Sequence, residues 1–194
     1  DAMLKFEKRK DVVKKARNVL STSRKNFLGE LSAAVSKEKP RRQPRGADGK
    51  TKLDPEFISD FRYFRDYVTP EMNRVLRGDQ RSCYACHGVP GRVPPLTLNR
   101  PDDAGYLPVE KLLANYRLLQ ARVDLATIEK SKLLRKPLNV QTGKEDGHQG
   151  GRRYQPLDPG YQILRRWVLN QKKQAGKLGL IDTAGAAPKS SQKR

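Results

Sequence analysis

Few side chains in this sequence could hold a metal through nitrogen or sulfur. Its 194 residues include two histidines, two cysteines and two methionines, with a single tryptophan. Long apolar runs are also missing: no stretch approaches the ~20 residues that a bilayer-spanning helix needs. Hydrophobic residues make up only 36% of the chain, low for a globular protein. No signal-peptide pattern is present and the sequence opens at Asp1, so a mature, processed chain is expected. The two cysteines alone do not settle the redox compartment.

Acidic residues are outnumbered 21 to 41 by basic ones, giving a net charge of +20. The imbalance sits mainly at the ends. Residues 1–52 hold 16 basic and 6 acidic side chains, 53–170 hold 19 and 14, and 171–194 hold 6 and 1. This asymmetry divides the chain into a basic N-terminal helix and linker (1–52), a central domain (53–172) and a basic low-complexity tail (173–194). The pI of about 10.2 raises nucleic-acid binding as one reading. Aromatics are scarce in the basic ends and no nucleic-acid motif is present, so charge alone supports it weakly.

The periodicity is helical throughout. Leu4, Phe6, Val12, Val13, Ala16 and Leu20, then Phe27, Leu28, Leu31 and Val35, approximate one apolar face across 1–39, with lysine and arginine elsewhere. Such a basic amphipathic helix lies on anionic lipid, docks on an acidic partner or packs on its own domain. Residues 40–52 read as a linker. Asp54-Pro55-Glu56 starts a helix whose stripe is Phe57, Phe61, Phe64 and Val68. Thr69-Pro70-Glu71 repeats the start signal, predicting a kink or restart before Met72, Val75 and Leu76. Between Gly88 and Pro108, five prolines and three glycines predict a loop. Pro108 opens a helix with Val109, Leu112, Leu113, Tyr116 and Leu119 on one face. Asp124 is expected to cap another, holding Leu125, Ile128 and Leu133 and ending before Pro137. Residues 138–157 predict an irregular Gly-rich loop. Asp158-Pro159 starts a final helix with Ile163, Leu164, Trp167 and Val168 inward. From Gly176 onward the composition predicts disorder in isolation.

Both cysteines and one histidine fall in Arg81-Ser82-Cys83-Tyr84-Ala85-Cys86-His87-Gly88. Cys-x-x-Cys-His is the attachment signature of a c-type haem: Cys83 and Cys86 would form thioethers to the vinyl groups, and His87 would be the proximal iron ligand. Other readings compete. A redox disulfide of thioredoxin type would sit in a βαβ pattern, and no strands are visible nearby. Zinc would need a fourth ligand, and adjacent Cys86 and His87 suit one tetrahedral centre poorly. Tyr84 and Ala85 read as spacers.

This stretch, with a helix before it and loops and a helix after it, resembles a class I cytochrome c domain. Ser131-Lys132-Leu133-Leu134-Arg135-Lys136-Pro137-Leu138, then His148-Gln149-Gly150-Gly151-Arg152-Arg153-Tyr154, closed by Asp158-Pro159-Gly160-Tyr161 and Trp167, is similar to the second half of bacterial monohaem cytochrome c-like domains. The resemblance covers roughly residues 54–172. It implies an all-α, cytochrome c-like helical domain around one covalent haem c, whose first and last helices cross. It also implies a periplasmic or otherwise exported protein, because bacterial attachment of haem c takes place outside the cytoplasm.

The iron's distal ligand is then His148 or Met72. No methionine follows Met72, and Met72 sits on a stripe that reads as packing. A lone histidine in a polar loop is ordinarily an exposed side chain. The scarcity of ligands and the family's His-x-Gly-Gly pattern favour His148, with Gly147, Gly150 and Gly151 allowing close approach. Arg152, Arg153 and Tyr154 are candidates to bind the haem propionates, with Lys136 and Arg81 behind them. Bis-histidine iron has no vacant position, which points to an electron carrier rather than an enzyme. The expected partners are acidic redox proteins, or a multi-subunit membrane-associated complex in which this chain is a subunit. The alternative is a peroxidase-like haem enzyme with an open distal site.

Overall fold

A computed structural model describes residues 22–23, 25–37, 53–76, 81–93, 96–140 and 147–177. Among the described residues every regular element is helical and no strand occurs. They form two compact units, one reaching Asp54 and including Pro108–Leu113, the other comprising Pro55–Leu107 and the chain from Ala114. Most of the N-terminal stripe, the linker and the C-terminal tail lie outside the described residues.

In the first unit, residues 25–37 form helix α1. Phe27, Leu31, Ala34 and Val35 are buried at the three- and four-residue spacing of one helix face. Lys37 pairs with Glu110 on the surface, a contact that adds little stability between exposed groups.

The second unit begins with α2 (Pro55–Tyr63), a π-helical segment (Phe64–Val68) and α3 (Thr69–Asn73), which follow one another without a break. Pro70 lacks the N–H of a regular helix and its ring crowds the carbonyl four residues back. The chain responds with a wider turn just upstream: Thr69 N–H bonds Phe64 O, five residues back. The expected restart at Thr69 is therefore absorbed as a π-bulge. The helix ends at Arg74, whose backbone is extended. Val75 is left 60% exposed, contrary to its expected place on the apolar stripe.

Helix α4 (Tyr84–His87) is the single turn of the Cys-x-x-Cys-His motif, and α5 (Val109–Gln120) buries Leu112, Leu113, Tyr116 and Leu119 as its periodicity predicts. Asp124 does not start a long helix. Its Oδ1 accepts the Thr127 N–H at 2.8 Å, closing a local turn that competes with helix. A 3-10 turn follows (Ile128–Lys130), then α6 (Lys132–Leu138), which runs through Pro137 instead of stopping before it. Pro137 is tolerated because the helix ends at the next residue, Leu138, with Asn139 beyond it in the left-handed conformation. Asn139 N–H bonds Lys136 O at 2.9 Å and Val140 N–H bonds Arg135 O at 3.3 Å, which satisfies the last carbonyls.

Helix α7 (Pro159–Lys177) starts where Asp158-Pro159 predicts, and Leu164, Trp167 and Val168 are buried. It extends five residues past the expected end of the domain at 172, and Lys177 pairs with Glu56. Helix α7 packs against α2 and the π segment. The Phe64 and Trp167 ring centroids are 5.2 Å apart, and Tyr63 O–H bonds Ile163 O at 3.3 Å. Inside this contact lies a buried carboxylate, Asp60, which accepts bonds from Tyr116 O–H at 2.7 Å, Trp167 Nε1 at 3.2 Å and Gln171 Nε2. No helix among the described residues is long and apolar enough to cross a membrane.

Candidate functional site

The motif folds as one helical turn because the chain can satisfy its backbone locally. Cys83 N–H bonds Met72 O at 3.0 Å, tying the turn to α3, and His87 N–H bonds Cys83 O at 2.9 Å. Cys83 and Cys86, three residues apart on that turn, share one face. Tyr84 points the other way and is 1% exposed. The residue read as a spacer is the anchor of the turn in the core. Its hydroxyl lies near Asn115 and Thr69 but makes no hydrogen bond among the described residues.

His87 is oriented by the loop that follows it. Its Nδ1 lies 3.2 Å from Leu96 O, and Leu98 N–H bonds His87 O at 2.6 Å. That loop is itself pinned: the fully buried Asn115 accepts Asn99 N–H at 2.7 Å and donates to Asn99 O at 2.8 Å.

His148 faces His87. The two ring centroids are 6.3 Å apart and the rings are within 8° of parallel. His148 Nδ1 lies 2.8 Å from Gly151 O. A carbonyl oxygen only accepts, so each Nδ1 carries the proton and donates it. The neutral ring then has its lone pair on Nε2, the nitrogen left to bind a metal. Metal–imidazole bonds of about 2.0 Å at each ring, with roughly 1.1 Å from nitrogen to ring centre, require centroids roughly 6 Å apart. The separation of His87 and His148 fits one metal atom held between them. Burial holds His87 below the usual histidine range, partly opposed by the Leu96 carbonyl and reinforced by His148. The ring therefore stays neutral, as a ligand must.

The glycines around His148 serve this placement. Gly151 has φ +69°, a conformation that glycine adopts without strain, and Gly151 N–H returns a bond to His148 O at 2.7 Å. Gly150 leaves room for the ring, since a Cβ there would come 3.0 Å from His148 Cε1. The far side of the loop hangs on the end of α6. Asn139 Oδ1 accepts His148 N–H at 2.8 Å, Lys136 Nζ donates to Gly147 O at 3.0 Å, and Pro137 O accepts from Arg153 N–H at 2.7 Å. None of these supports was foreseen from sequence; an asparagine just past an expected helix end was the one visible signal.

The three propionate candidates part company. Arg152 is exposed. Arg153 is half-buried and donates to Arg81 O, with its charge near enough to Cys83 to oppose the effect of burial on that thiol. Tyr154 is 2% exposed and gives its O–H to Glu71 Oε1 at 2.9 Å. Burial, then the nearby Cys83 and Glu71, push the Tyr154 hydroxyl up. Glu71 is held by Arg74, with contacts of 3.0 Å from Nε and 2.6 Å from Nη2. Lys136, another weak candidate, is spent on Gly147. Met72, the competing distal ligand, is 4% exposed in the core.

The rival chemistries of the cysteines find less support. The thiols are free, and burial pushes Cys83 up to about 11, unlike the acidic thiols of redox Cys-x-x-Cys sites. Among the described residues no three His, Cys, Asp or Glu side chains are placed to hold a metal ion together. The described residues alone therefore do not assemble a tetrahedral zinc site. No protein family matches this sequence, and neither a characterised protein nor a solved structure matches it.

Proposed function

We propose that the second unit is a class I cytochrome c-like electron-transfer domain, with one haem c bound covalently through Cys83 and Cys86 and its iron held by His87 and His148. The observation that carries this reading is the facing pair of imidazoles, 6.3 Å apart and nearly parallel, each with Nδ1 committed to a carbonyl. Haem iron supplies reversible one-electron chemistry; the protein supplies ligands, dielectric and docking surface. His87 and His148 fill both axial positions, leaving no vacancy for oxygen or peroxide. Arg153, beside Cys83, is the propionate candidate best supported by its surroundings. The chain's net charge of +20 favours an acidic redox partner or a place in a membrane-associated redox complex, with docking weakened by salt. Covalent attachment of such a haem implies a periplasmic or otherwise extracytoplasmic location.

Expression with a cytochrome c maturation system, followed by haem staining on a denaturing gel, tests the reading. The chain is expected to retain its stain after boiling, and the Cys83→Ala, Cys86→Ala double variant to lose it. An unstained wild-type chain would return the cysteines to other chemistry.

A further inference from the structure

We infer that Asn139 is the positioning residue of the distal histidine, a role that rests on the haem reading above. Asn139 is the one non-glycine residue with positive φ among the described residues, at 55°. Ending α6 in the left-handed conformation would be met by glycine at less cost. What glycine lacks is the side-chain oxygen, and here that oxygen accepts His148 N–H at 2.8 Å.

The geometry makes this bond a lever on the ring. The Asn139 backbone is fixed by its own bond to Lys136 O at 2.9 Å. The same helix end holds the loop on both sides of His148, through Lys136 Nζ to Gly147 O at 3.0 Å and through Pro137 O to Arg153 N–H at 2.7 Å. Of these anchors only Asn139 acts on His148 itself. Its loss removes the helix-end hold on the His148 N–H, leaving the Gly151 N–H bond to His148 O at 2.7 Å as the remaining bond to that backbone, so the ring leaves the iron more often.

Three holoproteins test this: wild type, Asn139→Gly and Asn139→Asp. Glycine keeps the left-handed backbone and removes the acceptor; aspartate keeps both. The readout is the rate at which added imidazole displaces the distal ligand, followed optically, with the low-spin spectrum recorded first. Asn139→Gly is expected to react about fivefold faster, the factor for one net hydrogen bond, and Asn139→Asp within about twofold of wild type. Equal rates for wild type and Asn139→Gly, both low-spin, overturn the positioning role and leave the haem reading intact. A wild-type spectrum that is not low-spin overturns the reading and this role with it.

Discussion

Gly160 lies against the Glu71 carboxylate so closely that a Cβ on it would come 2.0 Å from Oε1 and 2.8 Å from Arg74 Nη2. Glu71 cannot swing aside freely, because it accepts the buried Tyr154 hydroxyl and holds Arg74. Gly160→Ala is therefore expected to lower stability by about 1–3 kcal/mol through overpacking, outweighing alanine's better helix propensity. Urea unfolding measures the change, and an unmoved or raised midpoint contradicts it.

Tyr84 supports the Cys-x-x-Cys-His turn through its ring, not its hydroxyl. The oxygen is buried without a hydrogen bond among the described residues, and burial pushes the group up to about 12. Removing an unsatisfied polar atom is neutral or favourable, whereas deleting a buried aromatic ring costs about 3–5 kcal/mol. Tyr84→Phe is expected to match or exceed wild-type stability, and Tyr84→Ala to lose several kcal/mol and bind haem poorly. A marked loss in Tyr84→Phe would show that the hydroxyl has a partner after all.

These two sites mark the limits of what the sequence discloses. Apolar periodicity located α5 and α7, and Asp-Pro pairs located the starts of α2 and α7, because both signals act within a few residues. The Cys-x-x-Cys-His pentapeptide marks half of the candidate site for the same reason. Asp124 misled, since one side chain caps a turn as readily as a helix. Pro137 misled because a proline in the final turn disrupts nothing beyond it. The supports of His148 come from α6, nine residues earlier in the case of Asn139, and Tyr154 is drawn to Glu71 across 83 positions. No local pattern reports such pairings. The N-terminal stripe before residue 22 and the basic tail lie outside the described residues.

Asp60 gives the fold a pH dependence of its own. Burial raises its pKa from the ordinary 3.8, although Tyr116, Gln171 and Trp167 donate to it. The proton is therefore held more tightly in the folded chain. The stabilisation is fully present below 3.8, the unfolded value, and is lost as pH rises through the higher folded value. Asn at this position has no such titration. Wild type measured against Asp60→Asn should lose relative stability from about pH 4 upward; a difference that grows in favour of wild type over that range contradicts the assignment.

Two imidazoles stabilise ferric iron more than imidazole with thioether does. The holoprotein is expected to have a midpoint potential below that of His/Met carriers, and His148→Met to raise it. Potentiometric titration of both proteins decides the matter. A potential that falls or stays constant in His148→Met would mean that residue 148 is not on the iron.

The most direct test of the central claim is the low-temperature EPR spectrum of the oxidised, full-length holoprotein. Rings within 8° of parallel predict a low-spin ferric signal of the rhombic bis-imidazole type, not the single large-g feature of crossed planes. A high-spin signal would contradict His87/His148 ligation and put the open-site enzyme reading first. Absence of any haem signal would contradict the account at its root.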